Sequence, residues 1–345
     1  MDKTAQKRKK CKACNYLLIL WGKTASGVIR YHCTHCRKNY SSYQKPVADR
    51  VVLLQWFREY ILHGITYQVL SRWSKIPTAT LRYHFNQLLL ENPPFIHIPL
   101  ITAHQQYLLT DGLWFGRLFV LMVYKLTAHA GILHASIARK EWSYHISRDL
   151  KLIRKRGVIL TGIVSDGATG ITRAVTEVFG AIPHQICLAH MHRSLISCLG
   201  IHPKEPETQA LRAFADEVWD LKTRAQLKAW NKQLKGWVKN NQNYLLAYHT
   251  DETGRWWYAH TRVRKAVRIL KTIPKRSFVF LGRNSMPRTT NELEGIFSNL
   301  TVKWLMHRGL SQRKWPSFLL WFLYFRSLKS KPRTITKKLN LPTRS

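Results

Sequence analysis

The sequence predicts a mixed α/β fold that carries a helical insertion and is preceded by two small units. Three observations support this. Apolar runs from Gln106 onward (QYLLTDG, RLFVLMVYKL, GILHASIAR) read as strands and lead into a β-α-β passage, VILTGIVSD, TGITRAVTEVF and HQICLAH. Leu227, Trp230, Leu234 and Trp237 recur at helical spacing in a charged, Trp-rich stretch with little strand signal. Two C-x-x-C pairs sit near the N-terminus.

In chain order, residues 1–45 form a Cys-paired unit and residues 46–95 a helical unit, with Pro93, Pro94 and Pro99 breaking the helical pattern after it. Residues 96–203 are the first part of the sheet domain, with a helical run from Tyr144 to Arg156 between its strands. Residues 204–280 are predicted to be an all-helical insertion, with a separate C-terminal helical domain as the alternative. Residues 281–330 complete the sheet domain with helices from about Asn291 and Gln312, and 331–345 are a basic tail.

Charge narrows the function classes. The 345 residues include 56 Lys+Arg against 18 Asp+Glu, a formal net charge of +38. Such a chain repels itself unless a polyanion neutralises it, and nucleic-acid phosphates are the natural candidate. A small RNA binder or a membrane-surface protein would share the charge, but not a mixed core in a chain that is 45% apolar. The longest apolar run, FLLWFLYF (Phe318 to Phe325), is too short to span a bilayer, so no membrane partner is expected. The start, MDKTAQKRKK, has no apolar stretch behind its charges, so no signal peptide is expected.

Cys11-x-x-Cys14 and Cys33-x-x-Cys36 are separated by eighteen residues. Two such knuckles can bring four thiolates to one tetrahedral ion, which predicts one structural Zn²⁺ in a strand-rich zinc ribbon. A fragment this small has too little core to fold without the metal. The ribbon is compatible with a DNA or a protein contact; its neighbours Arg8, Lys9, Lys10, Lys12, Arg37 and Lys38 favour DNA.

After the ribbon, Leu53, Phe57 and Ile61, with Val52, Trp56 and Tyr60, make a broad apolar helix face that Gly64 ends. Thr66 to Ser74 forms a second short helix, Lys75-Ile76-Pro77 a turn, and Thr78 the N-cap of a third helix that points Leu81, Phe85 and Leu88 inward. This is the helix-turn-helix pattern, whose last helix enters the major groove. Thr80, Arg82, Tyr83 and Gln87 would then face DNA; an ordinary three-helix packing unit is the competing reading.

Acidic residues are scarce, so their placement is informative. Asp111 follows the apolar run YLLT and Asp166 follows VILTGIVS, each preceding a glycine, which could set both carboxylates on one rim of a sheet. Glu294 begins a later helix in RTTNELEG, with Glu292 as a competing ligand. Hard oxygen ligands from separate elements suit Mg²⁺ or Mn²⁺. Two such ions roughly 3.5–4 Å apart serve in-line displacement at a phosphodiester. Taken singly, Asp-Gly is also a turn dipeptide, and Asn291 with Glu294 is also a capping-box pattern.

Together these motifs resemble the Mutator-type DDE transposases, including bacterial insertion-sequence members. The matching stretches are TDG at Asp111, SDGATGITRAVTEVFGAIPHQICLAHMHR around Asp166, RTTNELEGIFSNLTVKW around Glu294 and HRGLS at His307. The resemblance implies an RNase H-like sheet with a helical insertion before the last acid. It also implies Asp111, Asp166 and Glu294 as the catalytic, Mg²⁺-binding triad, choosing Glu294 over Glu292. Cys187 and His190 match the C-x-x-H signature and would support the active site, either near the scissile phosphate or as a packed pair. Cys198 and His192 do not complete a second zinc set. His307 and Arg308 either contact DNA or form a solvated turn. Among the tryptophans, Trp219, Trp256 and Trp257 are candidates for stacking on an unpaired base, while Trp230 and Trp237 read as helix core.

The expected activity is strand cleavage at terminal inverted repeats followed by attack of the freed 3′-OH on target DNA, by at least a homodimer. The expected setting is a prokaryotic cytoplasm, associated with the nucleoid. Two rivals stand beside it: a non-catalytic DNA-binding regulator, and an RNase H-like nuclease or resolvase that cuts but never joins.

Overall fold

The structure is a computed structural model that describes residues 9–24, 27–41, 49–93, 106–127, 131–283, 285–307 and 309–329. Arg8, Pro94, Pro99, Arg308 and the basic tail of 331–345 lie outside the described residues. The chain divides into two compact units, Met1–Phe57 and Arg58–Ser345, with the division falling inside the first helix.

The smaller unit holds an antiparallel sheet of β1 (Leu18–Lys23), β2 (Ile29–Cys33) and β3 (Asn39–Ser41), in that order. Its strands are short and mostly exposed, and Cys11 and Cys33 are buried. So little buried apolar surface cannot offset the chain entropy of ordering the segment. Helix α1 (Arg50–His63) follows.

The larger unit opens with α2 (Tyr67–Ser74) and α3 (Thr78–Leu88). The Thr66 hydroxyl accepts from the Val69 amide and caps α2, and Lys75 turns the chain at φ +60°. Thr78 is inside α3, not its cap. Pro77 occupies the cap position without a side-chain bond, because its fixed φ already suits a helix start. Leu81, Phe85 and Leu88 are buried as expected.

Next come β4 (Tyr107–Phe115), β5 (Phe119–Leu126), β6 (Ile132–Ala138), α4 (Ser143–Lys155), β7 (Gly162–Ser165), α5 (Thr169–Phe179), β8 (His184–Ile186) and α6 (Leu188–Leu199). The five strands form one sheet in the order β6-β5-β4-β7-β8. The β4–β5 and β5–β6 pairs are antiparallel, and the β4–β7 and β7–β8 pairs are parallel. The segment HQICLAH divides: only His184–Ile186 is strand, and the rest turns into α6.

One sheet face is closed by α4 and α5. Ile146, Leu150, Ile153, Ile171 and Val175 pack with Leu108, Val120, Met122 and Ile163. Burial of each such side chain is worth about 1.5–3 kcal/mol, and together they fix which strand ends face outward.

The inserted region contains α7 (Pro206–Glu217), α8 (Arg224–Asn240), α9 (Gln242–Leu246), β9 (Tyr248–Thr250), β10 (Trp256–Tyr258) and α10 (Thr261–Arg276). It is therefore not all-helical: β9 and β10 pair as an antiparallel hairpin. The Asp251 carboxylate accepts from the amides of Thr253 and Arg255, and Gly254 turns at φ +79°. Edge-to-face contact between Tyr248 and Trp256 holds the arms together. The helices share a core around Leu195, Leu211, Trp230, Leu234, Val267 and Leu270. Trp230 is core as expected, and Trp237 packs against that core from its edge.

The chain returns through α11 (Asn291–Met306), a 3-10 turn at Gln312–Lys314 and α12 (Trp315–Lys329). α11 packs on β4, and α12 on β6. The Trp321 indole donates to the Leu88 carbonyl and Lys314 to Asn86, so α3 is joined to the end of the chain rather than standing apart. No described helix is long and apolar enough to cross a membrane.

Candidate active site

The acids at 111 and 166 meet through strand register. Leu108 pairs with Ile163 and Leu109 with Val164. The pairing ends two residues before each acid, so β4 and β7 carry Asp111 and Asp166 toward the same end of the sheet, where the Asp166 charge acts on Asp111. Asp111 is not at a strand end, as expected from its Asp-Gly step; it lies mid-strand, opposite Val123, because β4 runs on to Phe115. Asp166 directly follows the end of β7, and its carboxylate accepts from the Ala168 amide around Gly167 at φ +81°.

Helix α11 brings Glu294 to the same rim. Asp111, His190 and Glu294 form a group whose ligand atoms all lie within 4.8 Å of one another. His190 Nε2 is 3.8 Å from Asp111 Oδ2, and Arg193 pairs with Glu294. No capping box forms at Asn291: Thr290 occupies the cap position without a side-chain cap bond, and the Glu294 side chain turns toward the rim. The Thr290 hydroxyl donates to Asp111 Oδ2 at 3.3 Å, and its amide donates to Cys187 Sγ at 3.2 Å. The Gly112 amide donates to Asp111 Oδ1.

Electrostatics mark this rim. Burial, helped by the Asp166 charge and opposed by His190, raises the Asp111 carboxyl to about 6. The adjoining Cys187 thiol raises the His190 pKa against the effect of burial, and Asp111 adds to the rise. Burial opposes ionisation of Cys187, but His190 and Thr290 override it and hold the thiol below its usual range. Cys187 and His190 therefore belong to the site. A buried carboxylate crowded by a second one, within reach of a third and an imidazole, is a donor set suited to a divalent cation. The grouped set is not the all-oxygen one expected from sequence. His190 is inside it, and Asp166 stands beside it, acting on Asp111 by charge.

Glu292 is elsewhere, paired with the buried Lys125 at 2.7 Å, so geometry also separates it from Glu294. The sequence reading missed Glu141. A Cβ on Gly112 would collide with the Glu141 carboxylate, so this acid lies against the backbone next to Asp111. Burial, then the charges of Asp166 and Asp111, raise its pKa. Its signal was weak: a lone Glu before a helix reads as a solvated helix entrance.

In the smaller unit, the sulfurs of Cys11, Cys14, Cys33 and Cys36 also lie within 4.8 Å of one another. Cys11 and Cys36 are 3.4 Å apart, as are Cys14 and Cys33. Burial opposes ionisation of Cys11, but the Tyr40 hydroxyl and the Ala13 amide hold its thiol down to about 5. These four residues could bind one structural zinc, compatible with a zinc ribbon.

The remaining candidates separate by exposure. Arg82, Tyr83 and Gln87 are exposed on α3 and Thr80 is half-buried, with the Arg82 guanidinium over the Tyr67 ring. His307 is packed, its ring 4.5 Å from Tyr60 and 4.7 Å from Phe318, and burial lowers its pKa to about 4. Trp219 lies against His192 and Arg288, whereas Trp256 and Trp257 are exposed on the hairpin. His192 pairs with Asp216, away from any thiol ligand set. A search against protein-family models finds no match, and none is found among curated proteins.

Proposed function

We propose that this chain is a DDE-type DNA transposase with an RNase H-like catalytic core. The observation that carries the reading is the gathering of Asp111, His190 and Glu294 at one sheet rim, with Asp166 close enough for its charge to act on Asp111. The five-stranded mixed sheet, three antiparallel strands followed by two parallel ones, supports this reading. The net charge of +38 supports a polyanionic substrate.

In this reading Asp111, Asp166 and Glu294 hold Mg²⁺ or Mn²⁺, with His190 close enough to share in that task. When bound, a pair of such ions supplies charge neutralisation and activation of the attacking oxygen at a phosphodiester. Thr290 and the Gly112 amide hold the Asp111 carboxylate in place. Arg193 keeps Glu294 oriented and offers a cation to a phosphate oxygen. The zinc-holding unit and the exposed face of α3 engage terminal inverted repeats. Cleavage frees a 3′-OH that attacks target DNA, and pairing two ends calls for at least a homodimer at the nucleoid of a prokaryotic cell.

The test is Mg²⁺-dependent nicking of an end-containing duplex by the wild type and by Asp166→Asn. Nicking by the wild type alone is expected; equal nicking by both, or none by either, would defeat the assignment and leave a non-catalytic DNA-binding regulator. A strand-transfer assay separates a transposase from a nuclease or resolvase, which cuts without joining.

A further inference from the structure

We infer that a cleft beside Asp166, between α5 and the end of α10, binds a backbone phosphate of the nucleic-acid strand that runs through the rim; the inference rests on the nucleic-acid reading above. The cleft has a volume of about 650 Å³ and is lined by Gly167, Thr169, Thr172, Arg173, Thr176 and Arg276. It starts one residue from Asp166 and follows the face of α5 opposite its buried residues Ile171, Ala174, Val175 and Val178.

Its chemistry is that of an anion site. Two guanidiniums enter it from different elements, and Arg276 Nη2 is steadied by the Thr172 hydroxyl at 3.4 Å. Guanidinium forks match phosphate oxygens with two parallel hydrogen bonds. The acid in the lining, Glu177, is already engaged: Lys151 donates to it at 2.7 Å and Ser147 at 2.8 Å. The cleft also meets the N-terminal end of α5, where the cap residue is Ala168 and the helix dipole favours negative charge. A side chain at Gly167 would collide with the buried Ile186, so the turn between Asp166 and the cleft admits only glycine. A strand whose reacting phosphate sits at the rim thus finds a cationic seat for a neighbouring phosphate.

The experiment measures binding of the full, zinc-loaded chain to a short labelled duplex in buffer without Mg²⁺ or Mn²⁺ and without chelator, where no turnover occurs, across a salt series. Arg173→Gln with Arg276→Gln should flatten the log–log salt dependence by about one, for the one phosphate no longer neutralised. Lys228→Gln with Lys232→Gln, on the exposed face of α8, removes the same net charge and should change the slope less. Thr176→Glu keeps both guanidiniums and the Arg276–Thr172 bond while placing a carboxylate in the cleft; it should weaken binding with an unchanged melting temperature. An unaltered slope in the arginine pair, equal flattening in the lysine pair, or wild-type affinity in Thr176→Glu overturns the cleft. Absence of duplex binding by the wild type overturns instead the nucleic-acid reading on which the cleft rests.

Discussion

The four cysteines of the smaller unit and the carboxylates of the larger one are both clusters suited to metals, but they are built in opposite ways. The cysteines come from two tight knuckles joined by a three-stranded sheet with almost no core. Asp111, His190 and Glu294 come from β4, α6 and α11, each held by apolar packing that owes nothing to an ion. A cluster made from local turns depends on its metal for structure. A cluster assembled by tertiary packing can lose its ion and keep its shape.

The sharpest way to break this contrast is Cys33→Ser. It should abolish zinc stoichiometry and amide protection across residues 9–41, leaving the melting of the larger unit unchanged. Retained protection in the smaller unit would remove the contrast. Glu294→Gln should do the reverse, lowering Mg²⁺-dependent nicking at least about 10²-fold without loss of stability. Glu292→Gln supplies the comparison: it removes the carboxylate charge facing buried Lys125, whose ammonium also donates to the Leu126 carbonyl, and should cost about 1–3 kcal/mol in denaturant titration while affecting nicking less.

A pH series sharpens the comparison further. The Asp111 carboxyl is raised to about 6 in the fold, above its unfolded value of about 3.9. The folded state therefore holds its proton more tightly. The associated stability is present below pH about 4 and is lost as pH rises toward 6, on the order of 2–3 kcal/mol. Asp111→Asn should flatten that limb in metal-free urea titrations; an unchanged limb would mean that another group causes it. The smallest expected effect is Thr290→Val, which removes one hydroxyl bond to Asp111 and should cost about 1 kcal/mol, read as a small midpoint shift.

Legibility in the sequence follows the same division. The cysteine spacing fixed its cluster outright, since local turns suffice to build it. The run of strands from Gln106 and the helices on either side of Asp166 were readable from apolar patterning; the order of the strands in the sheet was not. The mid-strand position of Asp111 was not, because Asp-Gly is the chemistry of a turn and only the pairing through Phe115 overrides it. The β9–β10 hairpin was missed because three-residue strands rich in tryptophan carry no period of their own; the Asp251–Gly254 turn was the available clue. Glu141 was invisible because its proximity to Asp111 exists only after the sheet and α4 have packed. His307 was read as a DNA contact or part of a solvated turn, yet Tyr60 and Phe318 pack against its ring.

The parallel pairing of β4 with β7 and the docking of α11 on β4 also set a timetable. The β4–β5–β6 meander is contiguous in sequence and can form while the chain is still being synthesised. The rim acquires its last acid only after α11 has emerged from the ribosome and settled on β4. A nascent or C-terminally truncated chain therefore presents basic surface and a rim that still lacks Glu294.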